Sequence, residues 1–179
     1  RQMKGTFYYT MAKLSTAQQD LVNLKEGYDR IKHPNLPDYA RIKPKYEWTT
    51  TNGITYAIIE YIDLRGGWAT RISTEGRFIE SLGKRVQSSV KKGTPDIMGV
   101  YLGRHLGIEV KNGSDKMSDK QIEVQLDMVR AGSLYCIAKS FDHFHEWFHK
   151  QDFKQLPSSS ISKADHRAMI AYEQSMLGL

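Results

Sequence analysis

The sequence predicts an α/β fold. Two apolar runs of β-prone residues, 97–102 and 106–110, are separated by a short glycine-containing segment and indicate a hairpin. Helical periodicity precedes this hairpin in residues 52–65 and follows it in residues 118–130. Helices and strands therefore alternate along the middle of the chain.

Residues 1–50 are expected to form an N-terminal helical extension and a linker. Ser15 is placed to cap a helix that runs to Ile31. The apolar positions of this helix are Leu21, Leu24 and Tyr28. Three prolines within residues 32–50 interrupt regular structure, which predicts a linker that wraps the domain.

The central unit is expected to span residues 51–152. Its first helix runs from Asn52 to Arg65 and ends at a glycine pair. A strand is predicted over residues 68–72. Residues 73–92 are polar and basic and are not assigned to a helix or strand. We expect a flexible loop there that contacts DNA.

The predicted elements after the hairpin are a helix, a strand and two further helices. Ser118 caps the first of these helices. Its predicted apolar face consists of Ile122, Gln125, Leu126 and Val129. A strand over 133–138 and a helix over 140–151 follow. Residues 153–179 are expected to form a serine-rich linker and a C-terminal helix over 163–177, which docks on the domain or on a partner chain.

A carboxylate and a Glu-x-Lys triplet lie on the two strands of the predicted hairpin. Side chains alternate between faces along a strand, so Glu109 and Lys111 share one face. If Gly103 and Arg104 form a two-residue loop, the register puts Asp96 opposite Lys111 and diagonal to Glu109. A three-residue loop would put Asp96 on the other face. Cross-strand and diagonal neighbours lie roughly 5 to 8 Å apart. The three side chains are therefore expected to reach one shared divalent ion.

These residue types suit metal-dependent hydrolysis of a phosphodiester. Carboxylates such as Asp96 and Glu109 supply the oxygen ligands that Mg²⁺ prefers, and the ion keeps waters that can attack phosphorus. The ammonium of Lys111 can orient or help to deprotonate that water, or stabilise charge on the phosphate. Taken singly, an Asp after Pro is a common turn pair and Glu-x-Lys is common on exposed strands. Their order and spacing favour a nuclease.

The segments around these residues resemble the VRR-NUC branch of the PD-(D/E)XK nucleases. The resemblance covers about residues 51–150. Its matching stretches are residues 91–97, 108–111 and 118–121, together with 61–67, Arg71, 131–132 and 134–138. It implies a restriction-endonuclease-like αβββαβ core, with a central mixed sheet flanked by helices, between the N-terminal and C-terminal helical extensions.

The resemblance also implies roles for individual residues. Asp96, Glu109 and Lys111 would be catalytic, with Asp96 and Glu109 as metal ligands. The carbonyl of Val110 would be a further metal ligand, and Gln121 would support the site as a fourth catalytic residue. Small members of this family act as homodimers on branched DNA such as four-way junctions.

One feature departs from the family pattern. Family members usually have a glutamate near the start of the first core helix, where this chain has Thr51. Glu60 is the substitute that we assign as a metal ligand, and Glu80 and Glu47 are alternatives. Glu60 is equally interpretable as a solvated helix residue.

The charge of the chain favours a nucleic-acid partner. The 179 residues have a net charge of +6 and a pI of about 9.3. Basic residues flank the proposed site, where they would contact phosphates. The residues assigned to DNA binding are Arg71, Lys91, Lys92, Gly93 and Lys116. A single Lys or Arg of this kind also simply solvates a surface.

The residues thus predict a Mg²⁺- or Mn²⁺-dependent endodeoxyribonuclease. The resemblance implies that it is selective for branched DNA or Holliday junctions and that it forms a homodimer. A single cysteine, Cys136, excludes a disulfide framework, and no membrane span or signal peptide is recognisable. We therefore expect a cytoplasmic protein. Met11 offers a start, so residues 1–10 are interpreted as a tag remnant or an upstream extension.

Two alternatives to this function stay open. One is a DNA-binding module of the same fold that does not cleave. The other is a zinc metalloprotease, because residues 145–149 match H-E-x-x-H, in which two histidines bind zinc and a glutamate activates water. A third ligand would have to be His166 or Glu173. The apolar stripe of Phe141, Phe144 and Phe148 instead favours a packing helix with solvated histidines.

Overall fold

The computed structural model describes residues 13–73, 77–86 and 88–153. Within these ranges the helices are α1 (Thr16–Lys32), α2 (Thr51–Leu64), α3 (Asp119–Arg130) and α4 (Phe141–Lys150). The strands are β1 (Trp68–Arg71), β2 (Arg77–Ile79), β3 (Lys84–Val86), β4 (Ile97–Tyr101), β5 (Arg104–Val110) and β6 (Leu134–Ala138). Short 3-10 turns lie at Asp38–Ala40 and Glu80–Leu82. The predicted α/β class is confirmed.

The central sheet is four-stranded and mixed. Its strand order is β1-β4-β5-β6, with β5 parallel to β6 and the other neighbours antiparallel. Strands β2 and β3 form a separate hairpin within the stretch 73–92, to which the sequence assigned no element. These strands are only three residues long, which is too short for an alternating pattern to be visible in the sequence.

The apolar face of the sheet packs against α2 and α4. The core there joins Ile58 and Phe144 to Leu106 and Ile108, all four fully buried. Trp48 of the predicted linker packs against this core, as expected for a segment that wraps the domain. Side chains of α2, α4 and β5 and of the linker therefore share one core.

Helix α1 begins at the predicted cap. Ser15 Oγ accepts a hydrogen bond from Gln18 N at 3.1 Å, and the Gln18 side chain accepts one from Ser15 N at 3.2 Å. Leu21 is fully buried, whereas Tyr28 is 47% exposed. The predicted apolar face is thus only partly a core face. The ring centroid of Tyr28 instead lies 5.9 Å from the Nζ atoms of Lys25 and Lys32.

Helix α3 has the predicted bounds but turns a different face to the sheet. The predicted apolar positions Ile122, Leu126 and Val129 are exposed, and Val124 is the buried residue of this helix. Gln121 lies on the inner side because its side chain binds Glu109. The inner side of α3 therefore carries Gln121 and Val124, and the predicted apolar face does not pack on the sheet.

Among the helices that the structure describes, none has both the length and the apolar character that a membrane span needs. The predicted C-terminal helix over 163–177 and residues 1–10 lie outside the described residues.

Candidate active site

The β4–β5 hairpin sets the register of the candidate site. Its turn consists of Leu102 and Gly103, with φ values of 46° and 75°, and Tyr101 pairs with Arg104. Positive φ at both central positions is what a two-residue hairpin turn requires, and glycine takes the second position without strain. The predicted loop at Gly103 and Arg104 is therefore wrong by one residue.

The corrected turn moves the strand pairing by two residues. Ile97 pairs with Ile108, so continuing the ladder by one pair puts Asp96 opposite Glu109, rather than opposite Lys111 as predicted. A slip by one residue would turn every side chain to the other face. The register differs from the predicted one by two residues, which is an even number. The predicted common face of these side chains is therefore preserved.

Asp96 is held by both neighbouring strands. Its Oδ2 accepts a hydrogen bond from the backbone N–H of Val110 at 2.9 Å. Its own carbonyl accepts one from the N–H of Ile72, just beyond β1, at 2.8 Å. The carboxylate is thus fixed at the edge of β4 and beside the Glu-x-Lys segment.

Glu109 is a buried carboxylate whose two oxygens have different surroundings. The residue is 2% exposed. Its Oε1 accepts a hydrogen bond from Gln121 Nε2 of α3 and lies 3.1 Å from Lys111 Nζ. Its Oε2 is buried without a hydrogen-bond partner among the described residues. Burial, and then the negative charge of Asp96, raise the pKa of Glu109.

Lys111 lies between two carboxylates. Its Nζ is 3.1 Å from Glu109 Oε1 and 3.2 Å from Asp115 Oδ2. Burial tends to lower the pKa of Lys111, but these two carboxylates outweigh that effect and raise it. The side chain is therefore a buried ammonium, which suits electrostatic stabilisation better than proton abstraction.

Sequence reasoning missed Asp115. Its only signal was its position four residues after Lys111 in a loop, where no periodic pattern marks which side chains meet. The structure shows it as the second partner of the lysine.

The predicted ligand Glu60 is engaged elsewhere. Its Oε1 lies 2.6 Å from Lys25 Nζ, an ion pair that joins α2 to α1. The other end of α2 is the end that meets the strand segment of the site, where Asn112 donates to the carbonyl of Thr49. Glu47 accepts from Thr49 N at 2.9 Å. Glu47 thus lies in the segment that contacts Asn112, the residue after Lys111. Glu80 is exposed in a 3-10 turn.

The residues assigned to DNA binding surround the motif. Arg71 is exposed at the end of β1, opposite Ile97. Lys91, Lys92 and Lys116 are exposed, and Lys91 lies 4.0 Å from Asp127 of α3. Gly93 has φ +86°, and a Cβ there would lie 2.5 Å from the carbonyl oxygen of Lys120. Gly93 therefore has a packing role against α3, and its DNA contact stays a prediction.

The H-E-x-x-H segment lies on α4. His145 Nε2 is 3.0 Å from Asp20 Oδ2, so the expectation of simply solvated histidines is wrong. Glu146 is exposed and pairs with Lys150 at 2.6 Å, away from these partners. That placement does not favour a glutamate that activates water between two histidines. The proposed third ligands, His166 and Glu173, lie outside the described residues.

No protein-family model and no curated protein matches this chain. Two neighbouring carboxylates, one of them with an unsatisfied buried oxygen, adjoin a buried ammonium. Such a group of side chains suits a cation and an anionic substrate together.

Proposed function

We propose that the protein is a metal-dependent DNA endonuclease that hydrolyses phosphodiester bonds. The observation that supports this most directly is the buried Oε2 of Glu109, which has no hydrogen-bond partner in the described ranges and lies beside Asp96 and Lys111. An unsatisfied buried carboxylate oxygen costs free energy unless a cation or a donor meets it. A bound ion would remove that cost.

The donor set fits Mg²⁺ or Mn²⁺. Carboxylate oxygens suit these hard cations, and Asp96 and Glu109 would hold the ion with the carbonyl of Val110 as a further ligand. When bound, the ion would lower the pKa of a coordinated water and neutralise charge on the phosphate.

The protein's own groups have separate tasks. Lys111, as an ammonium, would donate to the attacking water or to a phosphoryl oxygen. The low exposure of its side chain, 10%, strengthens that electrostatic interaction because little water screens it. Gln121 would act as a positioning residue by orienting the Glu109 carboxylate.

The element order supports the nuclease fold that the VRR-NUC resemblance implies. Helix α2, strands β1, β4 and β5, helix α3 and strand β6 follow one another as αβββαβ. The β2–β3 hairpin would then be an insertion between the first and second core strands. The Glu60 metal ligand is not part of the proposal, because Lys25 already engages it.

The exposed cations support DNA as the substrate. Arg71, Lys91, Lys92 and Lys116 flank the carboxylates in the sequence and are exposed. The net charge of +6 favours a polyanion. Selectivity for branched DNA and homodimer formation are proposed from the resemblance.

A cleavage assay tests this function. Labelled four-way junction, flap and linear duplex DNA would be incubated with Mg²⁺, Mn²⁺ or EDTA. We expect metal-dependent cleavage by the wild type, no cleavage by Asp96→Ala, and full cleavage by the matched control Asp38→Ala, whose carboxylate is exposed in a 3-10 turn. DNA binding without cleavage under every metal would instead show a non-cleaving binding module.

A further inference from the structure

A cluster of two histidines and a carboxylate joins the two helices farthest apart in the sequence. His145 and His149 lie one turn apart on α4, with ring centroids 4.4 Å apart. Asp20 faces them from α1. Each of the three offers one ligand atom within 4.8 Å of the other two. This cluster is distinct from the carboxylate pair of the candidate active site.

From this arrangement we propose that Asp20, His145 and His149 bind a transition-metal ion of the Zn²⁺ class, which fixes α1 against α4. The proposal does not depend on the nuclease function.

The ligand atoms need only small movements to close around an ion. With bonds of about 2.0 to 2.1 Å, the ligand atoms of a tetrahedral zinc site lie about 3.4 Å from one another. The ligand atoms here lie within 4.8 Å of one another, so no separation has to shorten by more than about 1.4 Å. The side chain of His149 is exposed, so a rotamer adjustment there meets little resistance.

The chemical type of the ligands selects the metal. Two imidazoles and one carboxylate suit zinc and its neighbours, whereas magnesium prefers oxygen alone. His145 Nε2 lies 3.0 Å from Asp20 Oδ2, so an imidazole nitrogen and the carboxylate are already neighbours.

The metal has competitors for the carboxylate. Asp20 Oδ2 lies 2.8 Å from Tyr61 Oη and 2.9 Å from Arg65 Nη2. Within the described residues, every hydrogen bond to Asp20 ends on Oδ2, which leaves Oδ1 for an ion. The Tyr61 hydroxyl also lies 2.8 Å from His149 Nε2. Metal binding through that nitrogen would remove this contact and leave the hydroxyl bound to Asp20 alone.

A coordination position is open to solvent. The three ligands line a surface pocket of about 670 Å³ together with Ser15, Gln19 and Asn23. Water can therefore complete the coordination. Since Glu146 pairs with Lys150 rather than facing the pocket, the described part of the chain places no further carboxylate to activate that water. The role that we assign to it is structural.

Zinc titration of the full chain tests the proposal. Excess Mg²⁺ would be present to occupy the active-site carboxylates, and binding would be followed by calorimetry and by thermal unfolding. The test variant is His149→Gln, and the matched control is His143→Gln, an exposed histidine of the same helix. Asp20→Asn serves as a second test variant at the other helix.

We expect one zinc per chain in the wild type and in the control, with a raised unfolding temperature. Loss of a neighbour of a ligand already costs 10- to 100-fold in affinity, so we expect His149→Gln and Asp20→Asn to bind at least about 100-fold more weakly. Co²⁺ should give visible absorption bands that both test variants lose. No saturable zinc binding by the wild type, or equal affinity in His149→Gln, would overturn the proposal.

Discussion

Gln121 connects the start of α3 to the carboxylate of Glu109. Its side-chain nitrogen donates to Glu109 Oε1, and its side-chain oxygen accepts from the backbone N–H of Ser118 at 2.9 Å. The same amide group therefore closes the helix cap and orients a buried carboxylate. Any change at Gln121 acts on both the helix and the site.

Replacing Gln121 separates these two roles. Gln121→Ala should lower metal affinity about 10- to 100-fold through the loss of the contact with Glu109, and it should also weaken the α3 cap. Ser118→Ala is the control, because it removes the capping hydroxyl, at about 1 kcal/mol of stability, without removing that contact. Metal titration of cleavage and urea unfolding of both variants would check this. Equal metal affinities would show that Gln121 is only a capping residue.

Lys111 is expected to act in catalysis as an ammonium. Lys111→Met should lower kcat by about 10²- to 10³-fold, the usual effect of removing one donor that stabilises a transition state. Lys150→Met is the matched control, since that lysine is exposed and pairs only with Glu146 at 2.6 Å. Single-turnover cleavage at saturating metal gives the measurement, and circular dichroism verifies folding. Wild-type rates in Lys111→Met would contradict the assigned chemistry.

The pKa of Glu109 predicts how metal binding depends on pH. Burial and the charge of Asp96 raise this pKa above 4.5. In metal-free protein the stability contributed by Glu109 is present below the unfolded-state pKa and is lost as pH rises through the folded-state pKa. Metal binding needs the ionised form, so the increase in Tm with Mn²⁺ should be small near pH 4.5 and grow toward neutral pH.

Thermal unfolding with Mn²⁺ and with EDTA across this pH range would measure the effect. Glu109→Gln cannot ionise, and its Tm should change little with Mn²⁺ at any pH. A metal-dependent increase in Tm that is as large at pH 4.5 as at neutral pH would show that Glu109 does not bind the ion.

Two glycines with positive φ offer a test of backbone packing near the site. Gly93 has φ +86° and Gly113 has φ +63°, but only Gly93 has a backbone neighbour in the way of a Cβ, the Lys120 carbonyl at 2.5 Å. Gly113→Ala should cost about 1 kcal/mol from the left-handed conformation alone. Gly93→Ala should cost about 3 kcal/mol, because a steric clash adds to the same strain. Urea unfolding compares them, and equal losses would show that the loop does not pack on α3 as described.

Sequence patterns predicted the elements of this fold better than their relative placement. Alternation along β5 was enough to put Glu109 and Lys111 on one face, because strand periodicity is local. The hairpin register depended on which turn position Gly103 occupies, and glycine is compatible with both. The opposition of Asp96 and Glu109 therefore required the structure.

Contacts between distant segments were also beyond sequence reasoning. The pair formed by Asp20 and His145 joins residues 125 positions apart, and no local pattern indicates it. In α3, apolar spacing marked a face that is exposed, whereas the inner side carries Gln121, which contacts Glu109, and the buried Val124. Both cases involve polar groups whose partners are defined only by tertiary structure.

Gly107 sets the spacing between the sheet and the helix that covers it. It lies two residues before Glu109 on β5, so both positions face α3. A Cβ at Gly107 would lie 2.6 Å from Met128 Cε and 3.0 Å from the Tyr135 ring. The missing side chain thus lets α3 approach closely enough for Gln121 to reach the carboxylate. A residue with no functional group of its own thus affects how closely α3 packs on the sheet beside the candidate site.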